Sequence, residues 1–291
     1  MKKILVIGAS GQVGSELKRL AANHNNFVFQ FETKDTLDIS QQDSIEQFFS
    51  TQKIDFCINC AAYTAVDKAE SEPEMAKRIN IDGPKWIAEA CAVKNIPLIH
   101  FSSDYVYHNS INRPLIESDP TTPQGIYAQT KLDGDQAIMD TNAKAIILRT
   151  SWVYSSYGKN FVKTMIRLGN DRDQLNVVFD QIGSPTYAFD LAKASLDLIT
   201  QANNNSDQLK EWNGVYHYSN EGVCSWYDFA LAIFDIKAIE CDVKPIESKD
   251  YPTPASRPNY SVLNKEKFKS TFQLEIPHWR ESLKACLKKM V

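Results

Sequence analysis

KKILVIGASGQVG, residues 2–14, decides the fold. An apolar run of strand length leads straight into Gly8, and Gly11 and Gly14 follow at three-residue spacing where a helical pattern begins. Each glycine answers a separate demand: a tight turn after the strand, close approach of backbone N–H groups to a pyrophosphate, and close packing of helix on strand. Ser10, Gln12 and Val13 fill the loop between them, at a helix N-terminus whose free N–H groups attract anions. The spacing is G-x-x-G-x-x-G rather than G-x-G-x-x-G, and a plain tight turn would also use some of these glycines. Two lysines before an apolar run suggest a secretory leader, but this run is too short and ends in the glycine loop.

Outward from that stretch the first half alternates β-type runs with helical patterns. KKILVIG, FVFQF, DFCINCA, PLIHFSS and KAIILRT are strand-length apolar segments, and DSIEQFFSTQ, EMAKRINIDGPKWIAEACAVK and AQTKLDGDQAIMD between them carry apolar residues at helical spacing. This alternation predicts an α/β fold, a doubly wound parallel Rossmann sheet covered on both faces. After Arg149 the pattern loosens. LNVVF and GVYHYS read as strands, WYDFALAIF as a helix and SKDYPTPASRPNYSV as irregular chain, which predicts a smaller C-terminal substrate-binding lobe. The expected division gives 1–152 and roughly 170–218 to the dinucleotide-binding part, and roughly 153–169 and 219–291 to the lobe. Without a flexible linker the two should share an interface, and a cleft there is the expected ligand site.

Bulk properties exclude several classes. The chain has 291 residues, 43% hydrophobic and 23% charged, with formal net charge −4, so it can build a core and offers no basic surface for nucleic acid or anionic membrane. No segment approaches the ~20 apolar residues of a membrane helix, which predicts a cytoplasmic protein. Cys57 and Cys60 form a C-x-x-C without a second pair or clustered histidines, so the sequence predicts buried free thiols and no metal site.

At the end of the second strand an acidic side chain would accept from the adenosine ribose and a basic one would favour a 2′-phosphate. Glu32 and Lys34 both stand there, so NADH and NADPH stay open. Asp38 and Ile39 are placed to meet the adenine, or to be ordinary loop residues. Tyr127 and Lys131 form Y-A-Q-T-K at a predicted helix start, and their i,i+4 spacing puts them on one helical face. A hydride arriving at a ketone carbon leaves charge on oxygen that an acid must quench. A nearby ammonium should lower the phenol's pKa from about 10 and make it that acid. Ser103, closing PLIHFSS, is the candidate to polarise the carbonyl, with Ser102 its rival.

These residues and the words around them resemble the dTDP-4-dehydrorhamnose reductases, within the extended short-chain dehydrogenases. The similar stretches are GQVGSEL, NCAAYTAVDKAESEP, FSSDYVY, the tyrosine-lysine segment, LRTSWVYSSYGKNFVKTM, DQIGSPT and YPTPASRP, which together span nearly the whole chain. The resemblance implies NAD(P)H-dependent reduction of the 4-keto group of dTDP-4-dehydro-6-deoxy-L-mannose to dTDP-L-rhamnose, for surface polysaccharide. It further implies Tyr127 as proton donor, Lys131 on the nicotinamide ribose, and Ser103 where threonine is usual. Ser10 to Val13 would touch the pyrophosphate, and Ala61, Ala62 and Tyr63 would line the cofactor. Asp104 and Trp152 would face the sugar, with Val66 and Glu70 also near substrate and Arg257 as a diphosphate clamp; Trp152 could instead pack between the lobes, and Arg257 could instead cap the irregular loop by pairing with an acidic side chain.

Two departures stand out. Asp135 replaces a commoner glutamate, and Phe189 falls where a second magnesium ligand beside Glu16 would be expected, which sets a metal-bridged dimer in doubt. A monomer and a homodimer both fit. Reduction or epimerisation of another nucleotide sugar, or a regulatory subunit without turnover, are the rival readings.

Overall fold

The computed structural model describes residues 1–108 and 110–290. The predicted strands are present as β1 (Lys2–Ile7), β2 (Phe27–Glu32), β3 (Phe56–Asn59), β4 (Leu98–Ser103) and β5 (Ala145–Thr150), joined at the edge by the strand Asn213–His217. All six are parallel, in the order β2-β1-β3-β4-β5 and then Asn213–His217. The chain reverses its winding between β1 and β3. In doubly wound sheets that reversal opens a crevice beyond the strands' carboxyl ends.

Strand alternation explains why both faces are covered. Ile4, Val6, Ile58, Ile99, Ile146 and Leu148 point to one side, onto the helices Gln12–Ala21 and Ala188–Asn204. Leu5, Ile7, Cys57, Leu98, Ala145 and Ile147 point to the other, onto Gln42–Thr51, Gly83–Lys94 and Ile126–Met139. Each fully buried aliphatic side chain contributes about 2 kcal/mol by removal from water, so neither face tolerates a register slip.

A third core lies C-terminal and is aromatic in character. Tyr154, Tyr187, Phe229 and Trp279 anchor it, under the helices Phe161–Asp171, Trp226–Lys237 and Trp279–Leu287. The strand Gln174–Val178 pairs in parallel with Asp242–Ile246 and packs into this core. The sequence division had put 174–178 with the dinucleotide-binding part. Its alternating buried Leu175 and Val177 face the aromatic C-terminal core, and its hydrogen-bonding partner is Asp242–Ile246 rather than a strand of the central sheet.

The helix predicted over 74–94 is also broken. It runs as Pro73–Lys77, a π-helical turn Arg78–Asp82 and Gly83–Lys94. The wider turn brings the buried Asn80 side chain inward, and Gly83 lets the chain pass against Ile39, whose carbonyl would lie 2.7 Å from a Cβ there. None of the described helices is long and apolar enough to cross a membrane.

Candidate active site

The glycine loop is built by backbone contact. Gly8 sits at φ +78°, and a Cβ on it would lie 2.5 Å from the Ala61 nitrogen; one on Gly14 would lie 2.5 Å from the Gly8 carbonyl oxygen. The N–H groups of Gly8 and Ala9 both donate to the Glu32 carbonyl at 2.9 Å, which ties the ends of β1 and β2 together. The helix begins after Gly11 with no side-chain cap, and Ser10 and Gly11 are exposed at its mouth. A cradle emptied of Cβ atoms before an uncapped helix N-terminus fits a dinucleotide pyrophosphate.

The neighbouring residues divide between loop and scaffold. Val13 packs on the core, while the Gln12 amide donates to the Val153 carbonyl at 3.3 Å and accepts from Asn160 at 2.9 Å, tying the loop to the segment after β5. The Glu32 carboxylate, buried at the end of β2, accepts from Gln30 at 2.8 Å. One Asp38 oxygen is engaged by the N–H and hydroxyl of Ser40, and the Ile39 side chain belongs to the core. Ala61 N–H donates to Asn59 Oδ1 at 3.0 Å, and Tyr63 is held by Asn80 through its N–H at 2.9 Å and by Glu72 through its hydroxyl at 2.7 Å.

The helix Ile126–Met139 carries Tyr127 and Lys131. It starts after Gly125 at φ +84°, and Glu70 caps it by accepting from the Ile126 N–H at 2.8 Å. Glu70, expected near substrate, therefore holds the helix that bears the reactive pair. The interior Gly134 lets this helix press onto Asn80, whose carbonyl would lie 2.0 Å from a Cβ there, and Asn80 also donates to Thr130 at 3.2 Å.

At the end of β4 the two serines separate. The Ser103 hydroxyl faces the Tyr127 phenol and eases its ionisation, whereas Ser102 lies against Asp135. Ser103 also donates to Asp104 at 3.2 Å. Burial pushes the Asp104 carboxyl up to about 7. Tyr105 meets Tyr127 edge to face at 5.4 Å between ring centres.

Lys131 departs from expectation. Its nitrogen donates to the Phe101 carbonyl at 2.8 Å and lies 3.4 Å from His100 Nε2, under β4. Burial lowers it to about 8, against Asp135, whose charge opposes that fall. The phenol of Tyr127 is raised to about 12, by desolvation first and then, against the help of Ser103, by Asp104 and Asp135. Lys131 thus points toward β4, and the groups that act on the phenol are Ser103, Asp104 and Asp135. Asp135 itself pairs with Arg149 at 3.0 Å, both nearly fully buried.

On the lobe side a cavity of about 580 Å³ is lined by Phe161, Gln174, Asn176, Gln181, Trp226 and Arg257, among others. Arg257 grips Asp67 with two bonds of 3.1 and 2.8 Å and donates to the Ala255 carbonyl at 3.0 Å. Asp67 stands beside half-buried Val66 in the short helix Val66–Ala69, so the clamp expected for a diphosphate is closed on a carboxylate in this structure. Trp152 takes φ +48° and stacks on Trp226 at 3.6 Å. A left-handed backbone at a bulky residue is strained and is held here by that stack and by Gly183 beneath the indole.

Glu16 is engaged by side chains of this chain, with the Asp190 carboxylate near it. It is fully buried, accepting from Ser155 at 2.7 Å and facing Arg19 Nε at 3.1 Å, with the Arg19 guanidinium over the Phe189 ring. Among the described residues no three His, Cys, Asp or Glu side chains cluster to hold an ion. All six cysteines are unpaired, and burial raises Cys57 and Cys60. Sequence reasoning missed Asn59, Asn80, His100 and Asp67. Only Asn80 left a trace, in the helix-interior glycine opposite it.

Comparison with known proteins gives a consistent result. The family model for the RmlD substrate binding domain matches residues 1–291. A dTDP-4-dehydrorhamnose reductase from Escherichia coli (strain K12) is 39% identical over 295 residues, covering 99% of this chain and 97% of its own. The crystal structure of a dTDP-4-dehydrorhamnose reductase from Clostridium acetobutylicum superposes with a TM-score of 0.92 at 38% identity, covering 99% of each chain. That of a dTDP-4-dehydrorhamnose reductase from Bacillus anthracis, in complex with NADP, gives 0.91 at 35%, covering 99% of this chain and all of the other.

Proposed function

Since the chain belongs to the family of dTDP-4-dehydrorhamnose reductases, we propose that it reduces the 4-keto group of dTDP-4-dehydro-6-deoxy-L-mannose to dTDP-L-rhamnose with a nicotinamide cofactor, for surface polysaccharide. The observation that carries the reading is that Ser103, at the end of β4, faces Tyr127 on the helix that also carries buried Lys131, beside a glycine cradle that would accept a pyrophosphate.

The cofactor would lie over Gly8, Ser10, Gly11, Gln12, Val13 and Gly14, with Glu32, Asp38 and Ile39 toward the adenosine and Ala61, Ala62 and Tyr63 along its length. When bound it supplies the hydride. Tyr127 stands as the proton donor to the oxygen of the reduced carbonyl, and Ser103 hydrogen-bonds that oxygen and the phenol. Lys131 offers its ammonium to the nicotinamide ribose. Asp104, Val66 and half-buried Trp152 border the sugar, and the cavity beyond Trp226 takes the nucleotide. Arg257, at the cavity wall, suits a diphosphate by its forked donors once Asp67 yields it.

Residues 1–152 with roughly 179–218 serve as the dinucleotide-binding domain, and the remainder as the substrate lobe. The protein works in the cytoplasm as a monomer or a homodimer.

The test is oxidation of NADPH and of NADH by the purified protein with dTDP-4-dehydro-6-deoxy-L-mannose, beside a panel of other nucleotide-linked keto-sugars. Turnover confined to the dTDP-linked sugar is the expected result. Preference for another nucleotide sugar, or cofactor binding without turnover on any, would overturn the assignment.

A further inference from the structure

Lys131 reaches a polar chain that the reaction itself does not use. Behind it lies His100 on β4, and behind His100 lies Asn59 at the end of β3; Asn59 Nδ2 and His100 Nδ1 are 3.1 Å apart. All three side chains are at most 2% exposed. The orientation of Asn59 is fixed by its other end, because Oδ1 accepts the Ala61 N–H at 3.0 Å. The amide therefore turns its NH₂ toward the imidazole, and Nδ1 must be the accepting nitrogen. A neutral ring with an accepting Nδ1 carries its proton on Nε2, the atom 3.4 Å from Lys131 Nζ.

We propose that Asn59 and His100 form a buried positioning pair for Lys131: Asn59 fixes the imidazole tautomer, and His100 presents Nε2–H to the lysine nitrogen. An N–H facing a neutral amine is a hydrogen bond; facing an ammonium it is a clash of donors. The pair thus favours the uncharged lysine and places its nitrogen against the Phe101 carbonyl, while the Ala61 contact couples that placement to the loop after β3. Among the described residues, the charged or titratable groups facing Lys131 are His100 on β4 and Asp135 on its own helix, with Arg149 of β5 behind Asp135; β3 contributes only the uncharged Asn59. Burial lowers the lysine in the same direction as the pair, and Asp135 opposes both.

The proposal rests on the role given to Lys131, so its first readout is independent of turnover. In the cofactor-free wild type, ¹⁵N-histidine NMR should show His100 as the Nε2–H tautomer, neutral across about pH 6 to 10. ¹³Cε-lysine NMR should show Lys131 titrating about one unit higher in His100→Leu than in the wild type, and the alkaline limb of kcat/KM should move up with it. Asn59→Asp keeps the ring but draws its proton to Nδ1, leaving Nε2 to accept from the ammonium, and should raise the limb likewise. His100→Gln can keep an amide N–H toward Lys131 and should hold the limb near its wild-type position. A residue with only a packing role would lower Tm and leave the limb in place. An Nδ1–H tautomer in the wild type, or a limb unmoved in both His100→Leu and Asn59→Asp, overturns the proposal. A wild type with no reductase turnover would sink the functional reading, and the tautomer would still decide this one.

Discussion

The two halves of the site, the glycine cradle and the lysine pocket, meet at Ala61 and are made in opposite ways. The cradle is shape: Gly8, Gly14 and Ala61 approach so closely that no Cβ fits, and its donors are backbone N–H groups. The lysine pocket is buried charge and polarity: Lys131, His100, Asn59, Asp135 and Arg149 are almost wholly enclosed. A defect in the first is steric and has nowhere to relax. A defect in the second is electrostatic, and removing the charged group also removes the cost of burying it.

The sharpest break between the halves comes from Lys131→Met. Steady-state kinetics should show kcat/KM down by about 10³-fold, while thermal melts at neutral pH show no loss of stability. Folding lowers the lysine to about 8 from its ordinary 10.5, so the folded state binds its proton less tightly than the unfolded chain. That penalty is full below about pH 8 and fades as pH rises toward the free value. The stability gain of the methionine variant should therefore shrink at alkaline pH. A large Tm loss at pH 7 would say the lysine is a structural member after all.

Gly8→Ala should do the reverse, acting first on the fold. A Cβ 2.5 Å from the Ala61 nitrogen at positive φ should cost about 3 kcal/mol in denaturant melts and weaken NADPH binding with it. A variant of wild-type stability would mean the cradle can open. A smaller effect is expected at the lobe: Asp67→Asn loosens the hold on Arg257 and should change KM for the nucleotide sugar by about fivefold, with kcat nearly constant. Smallest is Glu70→Gln, which weakens the charge-assisted cap on the Ile126 N–H and should cost about 1 kcal/mol or less of stability. A kcat loss there beyond about tenfold would return Glu70 to the substrate.

What the sequence disclosed follows the same contrast. Strand alternation in KKILVIG and KAIILRT, and glycines where backbone must touch backbone, are local signals, and the sheet and cradle follow from them. Tyr127 and Lys131 were legible because four residues on a helix make one face. His100 and Asn59 were not, since each is an ordinary strand residue until the β3 to β4 register sets Asn59 beside His100. LNVVF misleads in the same way: it reads as a further strand in the stretch given to the dinucleotide-binding part, and only its pairing with the distant Asp242–Ile246 sends it to the lobe. For Arg257 the sequence leaves a diphosphate clamp and a pairing with an acidic side chain both open, and nothing local announces that the partner is Asp67, far off in sequence.

The central claim is that Tyr127 supplies the proton at the reduced carbonyl. Tyr127→Phe removes one hydroxyl, so its NADPH Kd by fluorescence titration should stay within about twofold of wild type while kcat on the dTDP-linked keto-sugar falls by about 10³-fold. Wild-type kcat in a variant that still binds NADPH would contradict the account and place the acid elsewhere.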